Sequence, residues 1–415
     1  MRLTPAFAHR DFRLFWAAGA MITSGMQAGM VVQAWLLFDI TGDPLALGLL
    51  GFVRGIPGVA SSLAGGVLAD KFDRRRVMMA GTIGNAVVFS ALATMALTGE
   101  IQVWHILGSG FLVGGLQAFE GPARQAIFPH LVSRQHLTNA VSLISAMNPA
   151  VRIFAPIVTG LLIDSVGVGY DGAASALFVV SALYLGGTAI MLLVHMPKIE
   201  RALGSGLQTM VEGARFLKTH RTLGFVLLMA FVHGVGMSYT TMLPVFAVAF
   251  DSESSGSALG FLFAAGGVGG TLGALIGGVL GGRVRHAVLM VGGGVTFGLA
   301  LATFSFIPLF GVVLLVLLLA SLGNNIFQVT GQTALQSRVP DSYRGRVMGF
   351  WSMQFIVFVP LGALGLGVVA GAYGTPVALA ISGSFVGLFA IFGGGLHPGV
   401  RSLGHAGSAE QDEAR

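Results

Sequence analysis

Long apolar stretches separated by short polar connections dominate this chain. Twelve of the stretches are long enough to cross a hydrocarbon core of about 30 Å, since a helix rises about 1.5 Å per residue. We predict transmembrane helices at 14–38, 45–69, 77–98, 102–122, 137–163, 174–195, 223–249, 257–282, 287–307, 310–335, 346–372 and 376–395. The predicted fold class is therefore an all-α integral membrane protein.

The segment between the sixth and seventh spans has a different character. One helical face of residues 198–222 is apolar and the other faces are charged, which predicts an amphipathic helix at the membrane surface. The apolar face consists of Leu207, Met210, Val211, Ala214 and Leu217. We expect a first six-helix bundle at 1–197, a cytoplasmic linker at 198–222, a second bundle at 223–395 and a disordered cytoplasmic tail at 396–415.

Charge alternates along the predicted connections. All 23 Lys and Arg residues except Arg54 and Arg152 fall in the termini and connections of one side. The connections of the other side carry acids and no base, namely Asp39, Asp43, Glu100, Asp164, Asp171, Asp251 and Glu253. Because cationic loops stay in the cytoplasm, the pattern predicts a multi-pass protein of the cell inner (plasma) membrane with both termini cytoplasmic.

Composition agrees with a membrane protein and limits the chemistry. The chain is 54% hydrophobic and 10% charged, and its mean hydropathy is +0.82, which lies outside the range of soluble domains. The net charge of +6 comes from loops that orient the spans, so we expect no nucleic-acid partner. There is no cysteine, no phosphate-binding loop and no metal-ligand cluster. We therefore expect neither an enzyme nor a cofactor or metal site.

An internal repeat relates the two halves of the chain. Residues 46–70 and 258–282 are identical at eleven of 25 positions, at a constant offset of 212. Because six spans separate the copies, both have the same orientation, which predicts two parallel six-helix repeats around a central cavity. Rocking of such repeats gives alternating access, so the repeat favours a transporter.

Glycines recur along the predicted eighth span. They occupy every fourth position, at Gly269, Gly273, Gly277 and Gly281. Such a stripe lets another helix backbone approach closely. It indicates either tight packing or a surface along which helices slide.

Several segments resemble known transporters. Residues 66–75, Gly-Val-Leu-Ala-Asp-Lys-Phe-Asp-Arg-Arg, resemble the G-x-L-A-D-R-x-G-R-R signature of the major facilitator superfamily, with Lys71 and Asp73 as departures. The segments 120–126, 139–141, 212–215 and 344–349 resemble its enterobactin-exporter and macrolide-efflux branch. The resemblance runs from about Phe12 to the twelfth span. It implies the twelve-helix fold and drug:proton antiport as the activity.

The resemblance also implies a conformational latch. In the family the acid equivalent to Asp70 is held by the start of the eleventh helix, and a charged residue that ends the fourth helix completes the contact. We therefore expect Asp70, Arg74 and Glu120 to form a cytoplasmic latch that is closed when the transporter opens outward. The alternative is that these residues are solvated charges that orient the loops. The second half has Gly282 where the acid would be, so one latch is expected.

Two bases lie within predicted spans. A charge at the bilayer centre costs at least ~2.5–3.5 kcal/mol, so Arg54 and Arg152 each need a cavity or a polar partner. They either receive an anionic or oxygen-rich substrate, or they bind helix carbonyls near Pro57 and Pro149 or the acids Asp39 and Asp164. The other candidate cavity residues are Gln27, Gln33, Asn148, His233, Asn324, Gln328, Gln332 and Gln354.

These observations favour a secondary active transporter that exports drug-like or siderophore-like small molecules by alternating access. An importer of an organic anion or another metabolite, and a non-transporting membrane module, are the alternatives. Proton coupling stays open, with Glu120, Asp39 and His233 as titratable candidates. The expected partners are the small-molecule substrate and the lipid bilayer, and the expected oligomeric state is a monomer.

Overall fold

A computed structural model of the chain describes residues 5–69, 74–165, 170–195, 206–251 and 253–404. Within these ranges the regular secondary structure is helical, and no strand occurs. The helices of the first half are α1 (Arg10–Thr41), α2 (Pro44–Ala69), α3 (Arg74–Leu97), α4 (Val103–Ile127), α5 (Leu137–Ser165) and α6 (Asp171–Leu192). They are followed by α7 (Gly206–Thr219), α8 (Arg221–Met237), α9 (Leu243–Phe250), α10 (Ser255–Leu280), α11 (His286–Phe304), α12 (Phe310–Gln336), α13 (Asp341–Met353), α14 (Val359–Tyr373), α15 (Thr375–Leu388) and α16 (Pro398–Arg401).

Each predicted span coincides with one helix or one continuous helical run. The seventh span is α8 joined to α9 through a 3-10 turn at Ser238–Met242. The eleventh is α13 joined to α14 through a π-helical segment at Gln354–Phe358. The twelfth is α15 extended by a second π-helical segment at Phe389–Gly394. Such π-helical segments are rare and frequently occur at functional sites.

Eleven helices in the described residues are long and apolar enough to cross a membrane. The remaining predicted span, 102–122, corresponds to α4, whose 25 residues are also sufficient in length. Its apolar character is interrupted by the polar side chains of His105, Gln117 and Glu120. The predicted fold class, an all-α protein with transmembrane helices, is confirmed.

The chain divides into two compact units. Unit 1 comprises Met1–Gly42, Val53–Ser205 and Ala247–Ala264. Unit 2 comprises Asp43–Phe52, Gly206–Phe246 and Ala265–Arg415. The beginnings of α2 and α10 are thus grouped with helices of the opposite half of the sequence.

Unit 1 has its core among α1, α3, α5 and α6. Helix α1 packs on α5 and α6, and α3 packs on α4 and α6. Phe12, Met78 and Met191 are buried together in one cluster of this core. Deeper in the unit, a Cβ atom at Gly29 would collide with the ring of Phe89. The packing of α1 on α3 therefore leaves no room for a side chain at Gly29.

Unit 2 is held by close backbone contacts. Helix α11 packs on both α12 and α15. A Cβ atom at Gly293 would lie 2.6 Å from the carbonyl oxygen of Gly323, and one at Gly383 would lie 2.5 Å from that of Gly298. Real Cβ atoms essentially never approach other atoms so closely, so these crossings require glycine.

The glycine stripe of α10 also lies against backbone. Cβ atoms at Gly269 and Gly273 would collide with the carbonyl oxygens of Leu318 and Leu322 on α12. Gly277 faces the side chain of Val329, and Gly281 contacts only its own helix. The first part of the stripe is therefore a packing surface between α10 and α12.

The tail begins later than the sequence predicted. Residues 396–404 are folded: α16 lies there, and Val400 and Leu403 are buried with Leu223 and Ala287. The backbone N–H of His286 donates a hydrogen bond to the carbonyl oxygen of Gly404 (3.3 Å). The expectation of disorder from residue 396 is wrong as far as 404, and residues 405–415 lie outside the described ranges.

The linker contains the predicted helix, α7, and Leu217 of the predicted apolar face packs against the core of unit 2. Phe216, which was not assigned to the apolar face, stacks on Tyr343 with ring centroids 4.6 Å apart. Val211, which was assigned to that face, is exposed. The side chains of Leu207 and Met210 lie outside the described part of the structure. Helix α7 therefore docks on α13 through an aromatic contact.

Candidate substrate and coupling site

Arg54 on α2 is the basic centre of a polar cluster inside unit 1. Its Nη1 donates to Oε1 of Gln33 on α1 (3.5 Å), and its Nη2 donates to Oε1 of Gln117 on α4 (3.3 Å). Gln33 is fully buried and donates from Nε2 to the Ser109 hydroxyl (2.8 Å). Both partners of the guanidinium are neutral amides at long distance, so they orient Arg54 without neutralising its charge.

A close helix crossing places these side chains together. A Cβ atom at Gly114 on α4 would lie well under 3.0 Å from the carbonyl oxygen of Arg54. The next residue, Gly115, faces the ring of Pro57. Because α4 touches the α2 backbone here, Gln117, one turn further along α4, reaches the guanidinium. Gln117 was missed in the sequence, although the adjacent glycine pair was a usable signal.

Tyr184 on α6 is an aromatic neighbour of this cluster. Its ring is completely buried and stacks on Phe89 with centroids 5.9 Å apart. Its hydroxyl lies beside Gln117. Arg54 itself is only partly buried. The cluster therefore has an aromatic and amide wall behind a cation that remains accessible.

Arg152 on α5 has different surroundings. Its side chain is exposed, and within the described residues it makes no hydrogen bond or ion pair. The two acids considered as partners are engaged elsewhere: Asp39 with Tyr170 and Asp164 with the start of α10. Asn148, one turn earlier on α5, is also exposed. The alternative in which Arg152 binds Asp39 or Asp164 is therefore not supported.

Glu120 is a buried carboxylate between α3 and α4. Only 4% of its surface is exposed, which shows that it is not a solvated loop charge. Its Oε2 accepts a hydrogen bond from Asn85 Nδ2 (3.4 Å), and its Oε1 lies 4.0 Å from Nη1 of Arg124. Arg124 also donates to the hydroxyl of Thr23 (3.4 Å).

The other two members of the predicted latch cannot be placed beside Glu120. Asp70 and the side chain of Arg74 lie outside the described residues. The latch therefore stays a prediction.

Unit 2 contains a second polar cluster, which combines four of the predicted residues. Gln328 Nε2 donates to Oε1 of Gln354 (2.9 Å), and Gln354 Nε2 donates to the carbonyl oxygen of Trp351 (3.1 Å). Gln354 is fully buried at the first position of a π-helical segment. Asn324, one turn before Gln328 on α12, is buried beside His233.

His233 is enclosed by aromatic rings. It stacks on Phe327 at 4.1 Å and meets Phe297 at 4.7 Å between ring centroids. It also borders a small apolar cavity, together with Met229, Val232, Phe327, Val386, Phe389 and Ala390. Charging an imidazole in such surroundings is costly, which favours a structural role over proton transfer.

Three predicted cavity residues make no polar contact with the described part of the chain. Gln27 on α1 is partly exposed, and Asn148 on α5 and Gln332 on α12 are exposed. None of them forms a hydrogen bond within the described residues. Among the described residues, the structure therefore joins Gln33 to Arg54 and Gln328 to Gln354, and it places His233 beside Asn324. Gln27, Asn148 and Gln332 are not joined to either cluster.

Two other segments that resemble the transporter family form contacts between elements of the fold. Glu212 of α7 forms an ion pair with Arg346 of α13 (2.8 Å), and Gly213 lies against the Arg346 side chain. The Oδ1 of Asn139 accepts a hydrogen bond from the backbone N–H of Ala6 (3.0 Å). Segments that are distant in sequence are thus paired within each unit.

Long apolar helices that enclose buried polar clusters define a multi-pass membrane protein. The sequence model of the family described as transmembrane secretion effector matches residues 2–397. The chain belongs to this family, within the major facilitator superfamily. The predicted superfamily and exporter-like branch are confirmed.

Two curated relatives illustrate the similarity. The chain is 28% identical over 356 residues to the enterobactin exporter EntS of Escherichia coli O1:K1 / APEC. The match covers 85% of this chain and 80% of that protein. The EntS protein of Shigella boydii serotype 18 (strain CDC 3083-94 / BS512) gives the same identity and coverage.

Solved structures share the fold at low identity. The nucleoside transporter NupG matches with a TM-score of 0.76 and 16% identity over 94% of this chain and 100% of its own. A bacterial homolog of the human lysosomal transporter Spinster, in an inward-facing and unoccupied conformation, matches with a TM-score of 0.75 and 13% identity. That match covers 95% of this chain and 97% of the Spinster homolog. At these identities the similarity establishes the fold alone.

Proposed function

We propose that this transporter exports small anionic or oxygen-rich organic molecules from the cytoplasm across the inner membrane. The observation that carries the proposal is the Arg54 cluster, a cation inside unit 1 that is held by two neutral amides. The similarity to an enterobactin exporter supports export as the direction. The alternation of loop charge supports an orientation with both termini in the cytoplasm.

The chemistry of Arg54 favours an oxygen-bearing anion as cargo. A guanidinium presents five N–H donors in a plane and binds carboxylate-like groups through two parallel hydrogen bonds. Gln33 and Gln117 engage one terminal nitrogen each at 3.5 and 3.3 Å, and such long contacts are readily exchanged for stronger ones. A catecholate or carboxylate group on the cargo would supply the missing negative charge. Arg152, exposed and without a partner in the described residues, would contribute a second contact.

The proposed transport cycle is alternating access between the bundles 1–197 and 223–395. Asp70, Arg74 and Glu120 would act as the cytoplasmic latch, which the family resemblance supports. The burial of Glu120 beside Asn85 and Arg124 is compatible with such a role, because a carboxylate held by weak partners can change them at low cost.

We further propose that Glu120 couples export to proton entry. Among the described residues, the cation that faces Glu120 is Arg124, at 4.0 Å. A buried carboxylate at that distance is stabilised less as an anion than one in a tight ion pair, so it can accept a proton. In each cycle it would take one proton from the outer side and release it to the cytoplasm. His233, enclosed by aromatic rings, and Asp39, hydrogen-bonded to Tyr170, are less suited to this exchange.

Glu120→Gln should uncouple transport from the proton gradient. The amide keeps an acceptor for Asn85 but does not titrate, so gradient-driven accumulation of cargo should fall at least about tenfold. Exchange of labelled for unlabelled cargo at equal concentration, which needs no coupling ion, should continue. Both rates would be measured in proteoliposomes with and without an imposed pH difference.

Glu100→Gln provides the matched control, because Glu100 is an exposed acid in a connection. It should behave as the parent protein does. Gradient-driven accumulation by Glu120→Gln at the parental rate would remove Glu120 from the coupling mechanism.

A compound panel tests the proposed function as a whole. Growth inhibition and cellular accumulation would be compared in cells with and without the gene, using catecholate, carboxylate, neutral and cationic compounds. An exporter lowers the accumulation of its cargo, and we expect this for anionic compounds. An importer raises accumulation, and a non-transporting membrane module changes neither.

A further inference from the structure

One carboxylate in unit 1 caps a helix that belongs to a distant part of the chain. Asp164, at the end of α5, accepts hydrogen bonds from the backbone N–H groups of Gly256 (3.0 Å) and Ser257 (2.6 Å). It also accepts a hydrogen bond from the Ser257 hydroxyl. The first N–H groups of a helix lack partners within it and carry partial positive charge. Asp164 therefore satisfies the beginning of α10 from another helix.

The two helices are in backbone contact along the same line. A Cβ atom at Gly160 would collide with the carbonyl oxygen of Gly256, and one at Gly260 would lie 2.6 Å from that of Pro156. Ser255, the first residue of α10, is buried and accepts a hydrogen bond from Trp35 Nε1 (2.9 Å). We call this contact of α5 and α1 with residues 255–260 the α5–α10 seam.

A related glycine contact occurs in unit 2. By the repeat offset of 212, Gly260 corresponds to Gly48 at the beginning of α2. A Cβ atom at Gly48 would lie 2.5 Å from the carbonyl oxygen of Ala363 on α14, so this contact also depends on glycine. Asp43, at the beginning of α2, accepts a hydrogen bond from the N–H of Leu45 in its own chain segment (2.8 Å). The Asp164 cap joins two helices, so it is lost when they separate.

We propose that Asp164 is a gate residue of the transport cycle. Its carboxylate holds the first turn of α10 on α5, stabilises the state with the α5–α10 seam closed, and is released each time the seam parts. At glycine contacts no side chains interlock, so the two helices can separate and pack again. The carboxylate supplies a charge-assisted hydrogen bond that exists only in the state in which the seam is closed. The proposal rests on the transporter fold and is independent of the identity of the cargo.

The natural absence of cysteine allows a direct test. Ser255→Cys is nearly isosteric and places a single thiol inside the seam, where a water-soluble maleimide reacts only after α10 separates from α1 and α5. In this background, Asp164→Ala should raise the labelling rate at least about tenfold. Asp171→Ala removes a different acid, at the beginning of α6 and close in sequence to the end of α5. This variant should leave the labelling rate unchanged.

A second reporter distinguishes gating from general destabilisation. Ala86→Cys lies in the core of unit 1, where the parent side chain is 1% exposed, and it should stay protected in Asp164→Ala. Faster labelling at 255 with protection at 86 supports the gate. Equal acceleration at both positions, or an unchanged rate at 255 in folded protein, would overturn it.

A conservative variant covers the case in which Asp164→Ala does not fold. Asp164→Asn keeps the size of the side chain and one acceptor oxygen but loses the charge. It should accelerate labelling at 255 by a smaller factor than the alanine variant, about threefold or more. Labelling at the parental rate in folded Asp164→Asn would then refute the proposal.

Discussion

Arg54→Gln should weaken the binding of anionic cargo by about 30-fold or more and leave the binding of neutral cargo within about threefold. A hydrogen bond to a charged group contributes about 1.5–3 kcal/mol, and about 2 kcal/mol corresponds to roughly 30-fold in affinity. Glutamine keeps polarity at the position but loses the charge and the planar fork of donors. Affinities of the purified protein for a matched series of anionic and neutral compounds would measure the effect.

Arg152→Gln and the double variant complete this experiment. Arg152 has no partner among the described residues, so its replacement should leave detergent-stable yield unchanged and reduce anion affinity by a smaller factor. Lys218→Gln, which removes an exposed cation of α7, serves as the charge-matched control. A well-folded double variant with parental preference between anionic and cationic compounds would contradict the anion hypothesis and favour a general exporter of hydrophobic drugs.

Gly114→Ala should disrupt the Arg54 cluster by separating the two helices that form it. Its Cβ atom would collide with the carbonyl oxygen of Arg54, and because backbone cannot rotate away, α2 and α4 must separate. Overpacking of this kind typically costs about 1–3 kcal/mol. We expect a lower yield of folded protein, and we expect that protein to bind anionic cargo at least about tenfold more weakly.

The same helix offers the control for this substitution. A Cβ atom added at Gly108 would have no other atom within 4 Å. Gly108→Ala therefore adds the same methyl group without a collision. Its yield and affinity should match those of the parent. Parental yield and affinity in Gly114→Ala would show that the α2–α4 crossing does not position Arg54.

The positions of the spans could be predicted from the sequence because apolar length is a local property. Arg54 could be identified as a candidate site residue for a similar reason. A base within an apolar span is unusual, whatever the helix packs against. The partners of Arg54 could be predicted only in part. Gln33 was selected as a polar residue in a span, whereas Gln117 was not, because its role depends on α4 crossing α2 at Gly114.

Contacts between distant segments account for the remaining differences. Asp164 was assigned to an outer connection by its charge, but its partners lie 92 residues away, and no local pattern identifies them. Phe216 of the linker and Val400 of the tail were missed because each packs against a distant segment, α13 for Phe216 and the α8 and α11 region for Val400. A hydrophobic periodicity describes a helix face but not the surface that will cover it.

Transport into everted membrane vesicles tests the central claim most directly. In such vesicles an exporter carries cargo from the medium into the lumen, and an acidic lumen reproduces the direction of proton entry. We predict that vesicles containing the protein accumulate a labelled catecholate or carboxylate compound when the lumen is acidic. We also predict that Arg54→Gln abolishes this accumulation and that a neutral analogue is carried poorly. Absence of accumulation for every anionic compound, or accelerated loss of preloaded compound from the lumen, would contradict the export of anionic cargo.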